Sequence, residues 1–283
     1  MQAWREHLIC PECGDGLSFE KEEAICNGCG AVYPAHGDAV RLRLPDTHEP
    51  ALTQTADGRN MAAAYRAPKA AIGALRKVIS SEYFPGKAWR EARQRVLEMP
   101  GDVLILGSGV SHYEGAIHLD IDDFPGVDVV ADGHRLPFRD SCLEGVICEV
   151  VLEHVPHPDR IIAECHRVLK PGGRFFFLVP FLFPYHGHPR DFHRWSKEGL
   201  LTDFADFADL ECGIHGGPCS SMVNLLSEWV YVLSGRRFPK AYVPIKGLAT
   251  AVLFPLKWLD YLVNRFPEAH RLASTLYITG SRS

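Results

Sequence analysis

The segment Asp102 to Gly109, reading Asp-Val-Leu-Ile-Leu-Gly-Ser-Gly, narrows the fold of this chain more than any other stretch. Its apolar run is too short for a buried helix and shows no polar alternation. It therefore predicts a strand covered on both faces, as in a parallel sheet. Gly107, Ser108 and Gly109 follow at once, at the C-terminal end of that strand, where α/β sheets hold nucleotide-like ligands. Glycine is needed there because the ligand lies against the backbone and a Cβ would clash. Beyond this turn, strands and loops alternate. Ala116 to Asp122 predicts a second strand ending in carboxylates, which can accept the hydroxyls of a ribose. Val127 to Ala131 predicts a third, followed by Asp132 and Gly133. An acid at this tip can accept hydrogens from an adenine amino group, with the next backbone amides facing the ring. Leu143 to Cys148 is the fourth strand, with Glu149 at its end, and Arg174 to Val179 is the fifth. Between them Pro158 to Leu169 carries Ile161, Ile162, Cys165, Val168 and Leu169 on one helical stripe, stopped by Lys170-Pro171-Gly172-Gly173.

Ahead of this pattern, residues 8–33 contain two Cys-x-x-Cys knuckles, Cys10/Cys13 and Cys26/Cys29, each followed by a glycine, Gly14 and Gly30. Four thiolates at this spacing satisfy a tetrahedral zinc ion. Leu17-Ser18-Phe19 and Glu23-Ala24-Ile25 between the knuckles predict a hairpin. A redox dithiol would instead place one such motif at a helix start within a βαβ unit. The metal is expected to be structural, since all four positions are protein ligands, and to stand in for a core that so small a module lacks.

The chain of 283 residues accommodates one α/β domain and a small accessory module. The expected division is a zinc ribbon over 1–45, a basic helical linker over 46–99 and the catalytic-type domain over 100–283, with a helical insertion at 217–272. Lys87 to Leu97 predicts a helix with a stripe of Trp89, Ala92 and Val96. The net charge of −5 divides unevenly: −6 over residues 1–57, +7 over 58–97, −11 over 98–215 and +5 over 216–283. An acidic α/β half is a poor match for nucleic acid, whose binding rests on neutralising phosphates. The basic stretches are read first as solvated helix faces. No apolar run precedes the first cysteines, and the uncharged stretch Gly247–Leu256 is about half the roughly 20 residues a membrane span requires. A cytoplasmic protein with reduced thiols is the expectation.

Taken in order, Leu136-Pro137-Phe138, Val151-Leu152-Glu153-His154-Val155 and Arg167-Val168-Leu169-Lys170-Pro171-Gly172-Gly173 resemble the signature of class I S-adenosylmethionine-dependent methyltransferases of the type 11-like group. The N-terminal ribbon is similar to the small activator proteins that partner RNA and protein methyltransferases. The resemblance covers roughly residues 100–215. It implies a Rossmann-like seven-stranded sheet, with the last strand at Ser274 to Ser281 paired antiparallel to Asp209 to His215. It also implies an S-adenosylmethionine site at Gly107, Ser108, Gly109, Asp120, Asp132, Gly133 and Glu149, with Glu149 at the methionine end or the substrate entrance. Asp120 is preferred to Asp122 as the ribose ligand. Two departures stand out. Ile105 and Ser111 replace the acid and the third glycine of the family's first loop, and the crossovers between the first three strands are too short for full helices. The cofactor pocket should therefore be trimmed and open. His112 stands where a dinucleotide fingerprint needs its last glycine, which argues against hydride transfer.

Candidate bases cluster in Pro184 to Trp195, after the fifth strand. His186 is the first choice and His188 the second; Asp191 and Arg194 are expected to pair. His154 is read as a structural hydrogen-bonder. The expected activity is methylation of a small molecule or a glycan- or lipid-linked intermediate. An rRNA or tRNA methyltransferase and a non-catalytic adaptor are the alternatives. Residues 219–233 and 245–263 predict helices carrying Trp229, Tyr231, Trp258 and Tyr261. Packing over the substrate pocket or at a homodimer face is favoured for them over contact with a membrane interface.

Overall fold

The computed structural model describes residues 2–36, 39–42, 86–187, 190–235 and 242–283. The expected linker Pro45 to Pro50, most of the basic region at 46–99, and His188 lie outside them. At the N-terminus, strands β1 (Leu17–Phe19), β2 (Glu23–Cys26) and β3 (Val32–His36) form an antiparallel sheet in which Leu17 faces Cys26 and Ala24 faces Tyr33. Strand β4 (Ala39–Arg41) turns back on β3. Helix α1 (Ala88–Leu97) follows; its buried Ala92 and Val96 lie on the stripe predicted for it.

The large sheet is built from β5 (Val103–Leu106), β6 (Ile117–Asp120), β7 (Val129–Val130), β8 (Leu143–Glu149), β9 (Leu169–Pro180), β10 (Ala208–Gly216) and β11 (Thr275–Ser281). Its order is β7-β6-β5-β8-β9-β11-β10, parallel as far as β9, with β11 antiparallel to β9 and β10 antiparallel to β11. This is the seven-stranded Rossmann-like arrangement that the sequence resemblance implied. Residues 107–116 and 121–128, the first two crossovers, contain no helix. Helix α2 (Pro158–Val168) packs Ile161, Ile162, Cys165 and Val168 into the core. It ends one residue before the predicted boundary, because Leu169 already pairs with Leu143 as the first residue of β9. Lys170 to Gly173 thus belong to the irregular start of that strand, where Gly172 adopts a φ of +77° and donates to the Arg282 carbonyl. Helix α3 (Lys197–Asp203) lies on the same side of the sheet, where Phe204 stacks on Phe175 at 5.2 Å. On the opposite side, Ala92 and Val96 of α1 pack with Val103, Ile105, Ile147, Phe176 and Tyr277.

The ribbon joins this sheet directly. β4 runs parallel to β7, with Val40 opposite Val129, and covers the edge that β7 would otherwise expose. Arg41 on β4 binds Asp123 at 2.5 Å, in the loop after β6. The Ile9 amide donates to Pro137 (3.0 Å) and the Arg139 amide to His7 (2.9 Å). The Leu-Pro-Phe turn is therefore clamped between ribbon and sheet. At the far edge, between β10 and β11, lie helices α4 (Pro218–Gly235), α5 (Tyr242–Leu253) and α6 (Asp260–Val263), referred to below as the insertion.

Candidate active site and cysteine cluster

Three neighbouring strand tips open into one cleft of about 320 Å³. At the end of β5, Gly107 has a φ of +70° and Gly109 of +54°. A Cβ at Gly107 would stand 2.2 Å from Val151 Cγ2, whereas one at Gly109 would meet nothing within 4 Å. The first glycine is thus required by packing as well as backbone geometry, and the second by its backbone alone. The Gly107 and Ser108 amides both donate to the Leu119 carbonyl, which binds the loop to β6.

At the end of β6 the buried Asp120 carboxylate accepts from the Gly109 amide at 2.8 Å and from the Asp122 amide at 3.0 Å. Burial pushes its pKa up to about 6, against the pull of those backbone donors. Asp120 thus shapes the glycine turn and also lines the cleft, and Asp122 lines it beside Asp120. At the third tip, Asp132 Oδ1 accepts from the His134 amide (2.9 Å) and from His134 Nδ1 (2.7 Å). A carboxylate only accepts, so Nδ1 carries a proton, and in the neutral ring this leaves Nε2 as the acceptor. His134 Nε2 and Ser108 Oγ are buried in the lining of the cleft and have no hydrogen-bond partner among the described residues. Buried polar atoms normally find partners, so two orphans in one cleft mark the place of a polar ligand. Sequence reasoning passed over His134. Its signal was a hydrogen-bonding side chain two residues past the third-strand acid.

The fourth tip contributes a strained residue. Val150 has a φ of +59°, costly for a β-branched side chain, and lines the cleft with Val151. Glu149, one residue earlier, does not line it. Its carboxylate faces α1, where Arg93 Nη1 lies at 3.3 Å and the Tyr113 hydroxyl donates at 2.9 Å. Arg93 also stacks over Trp89 and Tyr113 at 5.2 and 5.6 Å. Burial, reinforced by the Glu149 charge, raises the Tyr113 hydroxyl to about 12.

His154 and His186 also line the cleft, and their rings meet edge to face at 5.3 Å. His154 Nδ1 donates to the Arg190 carbonyl, which fixes its tautomer in the neutral state. The His186 amide donates to Asp191 at 2.6 Å. Arg194 grips the same carboxylate with two nitrogens and reaches the Pro184 carbonyl at 3.0 Å, so the Asp191–Arg194 pair staples the segment. Beneath it lies Glu153, 1% exposed, with Oε2 unpartnered among the described residues and its carboxyl pushed up by burial to about 8.

In the ribbon, the Sγ atoms of Cys10, Cys13, Cys26 and Cys29 all lie within 4.8 Å of one another. Cys10 and Cys29 are 3.7 Å apart, and Cys13 and Cys26 are 3.3 Å apart. Tetrahedral ligation with Zn–S bonds of about 2.3 Å needs sulfurs at roughly this separation. Amides of Glu12, Gly28 and Cys29 point at Cys10 and Cys26 Sγ at 3.4 Å, an arrangement that favours thiolates. Gly14 and Gly30, at φ +84° and +74°, turn each knuckle. The donor set therefore fits zinc.

Residues 110–177 match the methyltransferase domain family, and the sheet order, glycine turn and acidic tips give that segment a Rossmann-like frame around one ligand cleft. Among curated proteins, the ubiquinone/menaquinone biosynthesis C-methyltransferase of Acidiphilium cryptum is 53% identical over 49 residues, 17% of this chain and 20% of that protein. The corresponding protein of Brucella canis is 34% identical over 89 residues, 31% of each chain. The chain thus spans a fifth to a third of the length of these relatives. Among solved structures, the [4+2]-cyclase SpnF aligns at 15% identity over 69% of this chain and 79% of its own, with a TM-score of 0.42. A Haemonchus contortus phosphoethanolamine N-methyltransferase 2 with bound S-adenosyl-L-methionine aligns at 12% identity over 73% of this chain and 55% of its own, with a TM-score of 0.46.

Proposed function

We propose that the chain transfers the methyl group of S-adenosylmethionine to a small molecule or to a glycan- or lipid-linked intermediate. The observation that carries this reading is the convergence of Gly107–Gly109, Asp120 and Asp132 on one cleft that also holds two unpartnered polar atoms. The glycine turn and Ser108 would hold the cofactor's backbone-facing side, Asp120 or Asp122 the ribose, and Asp132, Gly133 and His134 the adenine. When bound, the cofactor supplies a sulfonium methyl that is already activated. The protein's task is then to align an acceptor and exclude water. His186, in the lining of the cleft, is the candidate base: a ring nitrogen takes the proton from the acceptor's hydroxyl or amine as that atom gains the methyl group. His188 is the second candidate from sequence. The four cysteines would hold a structural zinc ion with no position open to substrate.

Calorimetric titration with S-adenosylhomocysteine tests the reading. Binding is expected, weakened by at least about tenfold in Asp132→Ala, or about 1.4 kcal/mol. Absence of binding overturns it and leaves a non-catalytic adaptor. A salt-sensitive mobility shift with bulk RNA would turn the acceptor toward nucleic acid.

A further inference from the structure

The insertion between β10 and β11 is built inside out. On α4, Met222, Leu225, Leu226, Trp229, Val232 and Leu233 recur at helical spacing and form one stripe. In a helix of a water-soluble domain such a stripe faces the core. Here it faces outward, with Trp229 59% exposed. The face turned inward is mostly polar: Ser220, Ser221, Asn224 and Ser227 are buried there beside a single valine, Val223. The neighbouring elements repeat the inversion. On α5, Leu248 is 68% exposed while Thr250 is buried and donates to Ser227 Oγ. Farther on, Lys257 and Asp260 are fully buried while Trp258, Leu259, Tyr261 and Leu262 are exposed. Asp260 accepts from the Cys219 and Ser220 amides and from Ser220 Oγ (2.8, 2.9 and 2.6 Å), which locks the polar interior to the start of α4. None of these exposed side chains lines the cleft, so the expected packing over the substrate pocket is not how they are used.

A contiguous apolar surface of this kind marks an interface. Its charge surroundings identify the occupant. Phe266, 60% exposed and just past Leu262 in the chain, lines a groove of about 360 Å³. Lys87, Lys197, Arg265 and His270 line that groove, and no acid does. Lys87 also pairs with Glu91 at 2.7 Å. In a twofold dimer the same patch meets itself, so like-charged grooves would be brought together. An anionic bilayer surface satisfies both halves at once: acyl chains cover the apolar stripe, headgroup phosphates meet the cations, and Trp and Tyr take the interfacial level. No helix among the described residues is long and apolar enough to cross a membrane, so the contact lies in the plane of the surface. We propose that the insertion docks this protein on anionic membranes through the Trp229–Trp258 face and the Lys197/Arg265 groove.

Co-flotation of the full chain with phosphatidylcholine vesicles, with and without phosphatidylglycerol, tests this. Wild type should float with the anionic vesicles and not with phosphatidylcholine alone. Trp229→Glu with Trp258→Glu should abolish flotation. Lys197→Glu with Arg265→Glu should weaken it by on the order of tenfold or more. Both double variants should keep the wild-type thermal midpoint, which separates lost docking from lost folding. Failure of wild type to float would overturn the proposal. So would binding indifferent to both pairs of substitutions, or a dimer seen by light scattering that Trp229→Glu dissolves while vesicles have no effect.

Discussion

The two accessory regions sit at opposite edges of one sheet and resolve their surfaces in opposite ways. The ribbon turns its apolar side chains inward: Leu8, Tyr33, Val40 and Leu42 are buried, and β4 covers the open edge of β7. The insertion turns most of its large apolar side chains outward and, beside Val223 and Phe254, buries serines, a lysine and an aspartate. A small module with no room for a core can still be complete when a four-cysteine cluster fitted for a metal and a neighbouring sheet supply what it lacks. A larger helical module can be folded and still incomplete, because its polar interior secures its shape while its apolar face awaits a partner.

Metal removal should separate the two regions most sharply. A strong chelator, or Cys26→Ser, should unfold the ribbon, whose metal-linked folding energy is on the order of 10 kcal/mol. Through β4 the loss should reach β7. Amide spectra would show it over residues 8–36, with the insertion helices unchanged; an intact spectrum there after metal removal would refute the ribbon half of the comparison.

Outside both regions, Glu153 serves as a control of internal polarity. Its carboxyl is raised from 4.5 to about 8 by burial, so the folded state holds a proton that the unfolded state releases. Stability from this group is full below pH 4.5 and is lost as pH rises through about 8. Glu153→Gln should remove that pH dependence, gaining up to about 5 kcal/mol at pH 9 with little change near pH 4. Parallel denaturant curves for the two proteins across this range would contradict it.

Single truncations then compare the two regions directly. Leu8→Ala, at the ribbon–sheet contact, should cost about 3 kcal/mol in denaturant unfolding. Asp260→Ala, which deprives α4 of its acceptor, should cost about 2 kcal/mol. Leu225→Ala, on the exposed stripe, should stay within about 0.5 kcal/mol. If Leu225→Ala costs as much as Leu8→Ala, the insertion is not inverted.

Much of this molecule is local, and local features are legible in a chain. The strand before Gly107, the acids after β6 and β7, the cysteine knuckles and the α2 stripe each depend on residue types at short spacing, and the folded protein shows strand, turn or helix at each. The early end of α2 illustrates the limit, because Leu169 was claimed by a strand partner 26 residues away. Helical periodicity likewise indicated that residues 219–233 have two unlike faces. It carried no information on which face meets water, because that depends on what packs against them.

What the sequence by itself determined is the chemistry offered at each strand tip and the ligand set of the ribbon, since backbone conformation and thiol spacing are short-range properties. Tertiary structure alone decided that β4 would extend the sheet beside β7, that Glu149 would turn to Arg93 and Tyr113 instead of the cleft, that His134 Nε2 would find no partner among the described residues, and that the insertion would be inverted. Each of these is a choice among partners distant in the chain. It is settled by which pairing satisfies the most buried polar groups and covers the most apolar surface once the whole sheet is assembled.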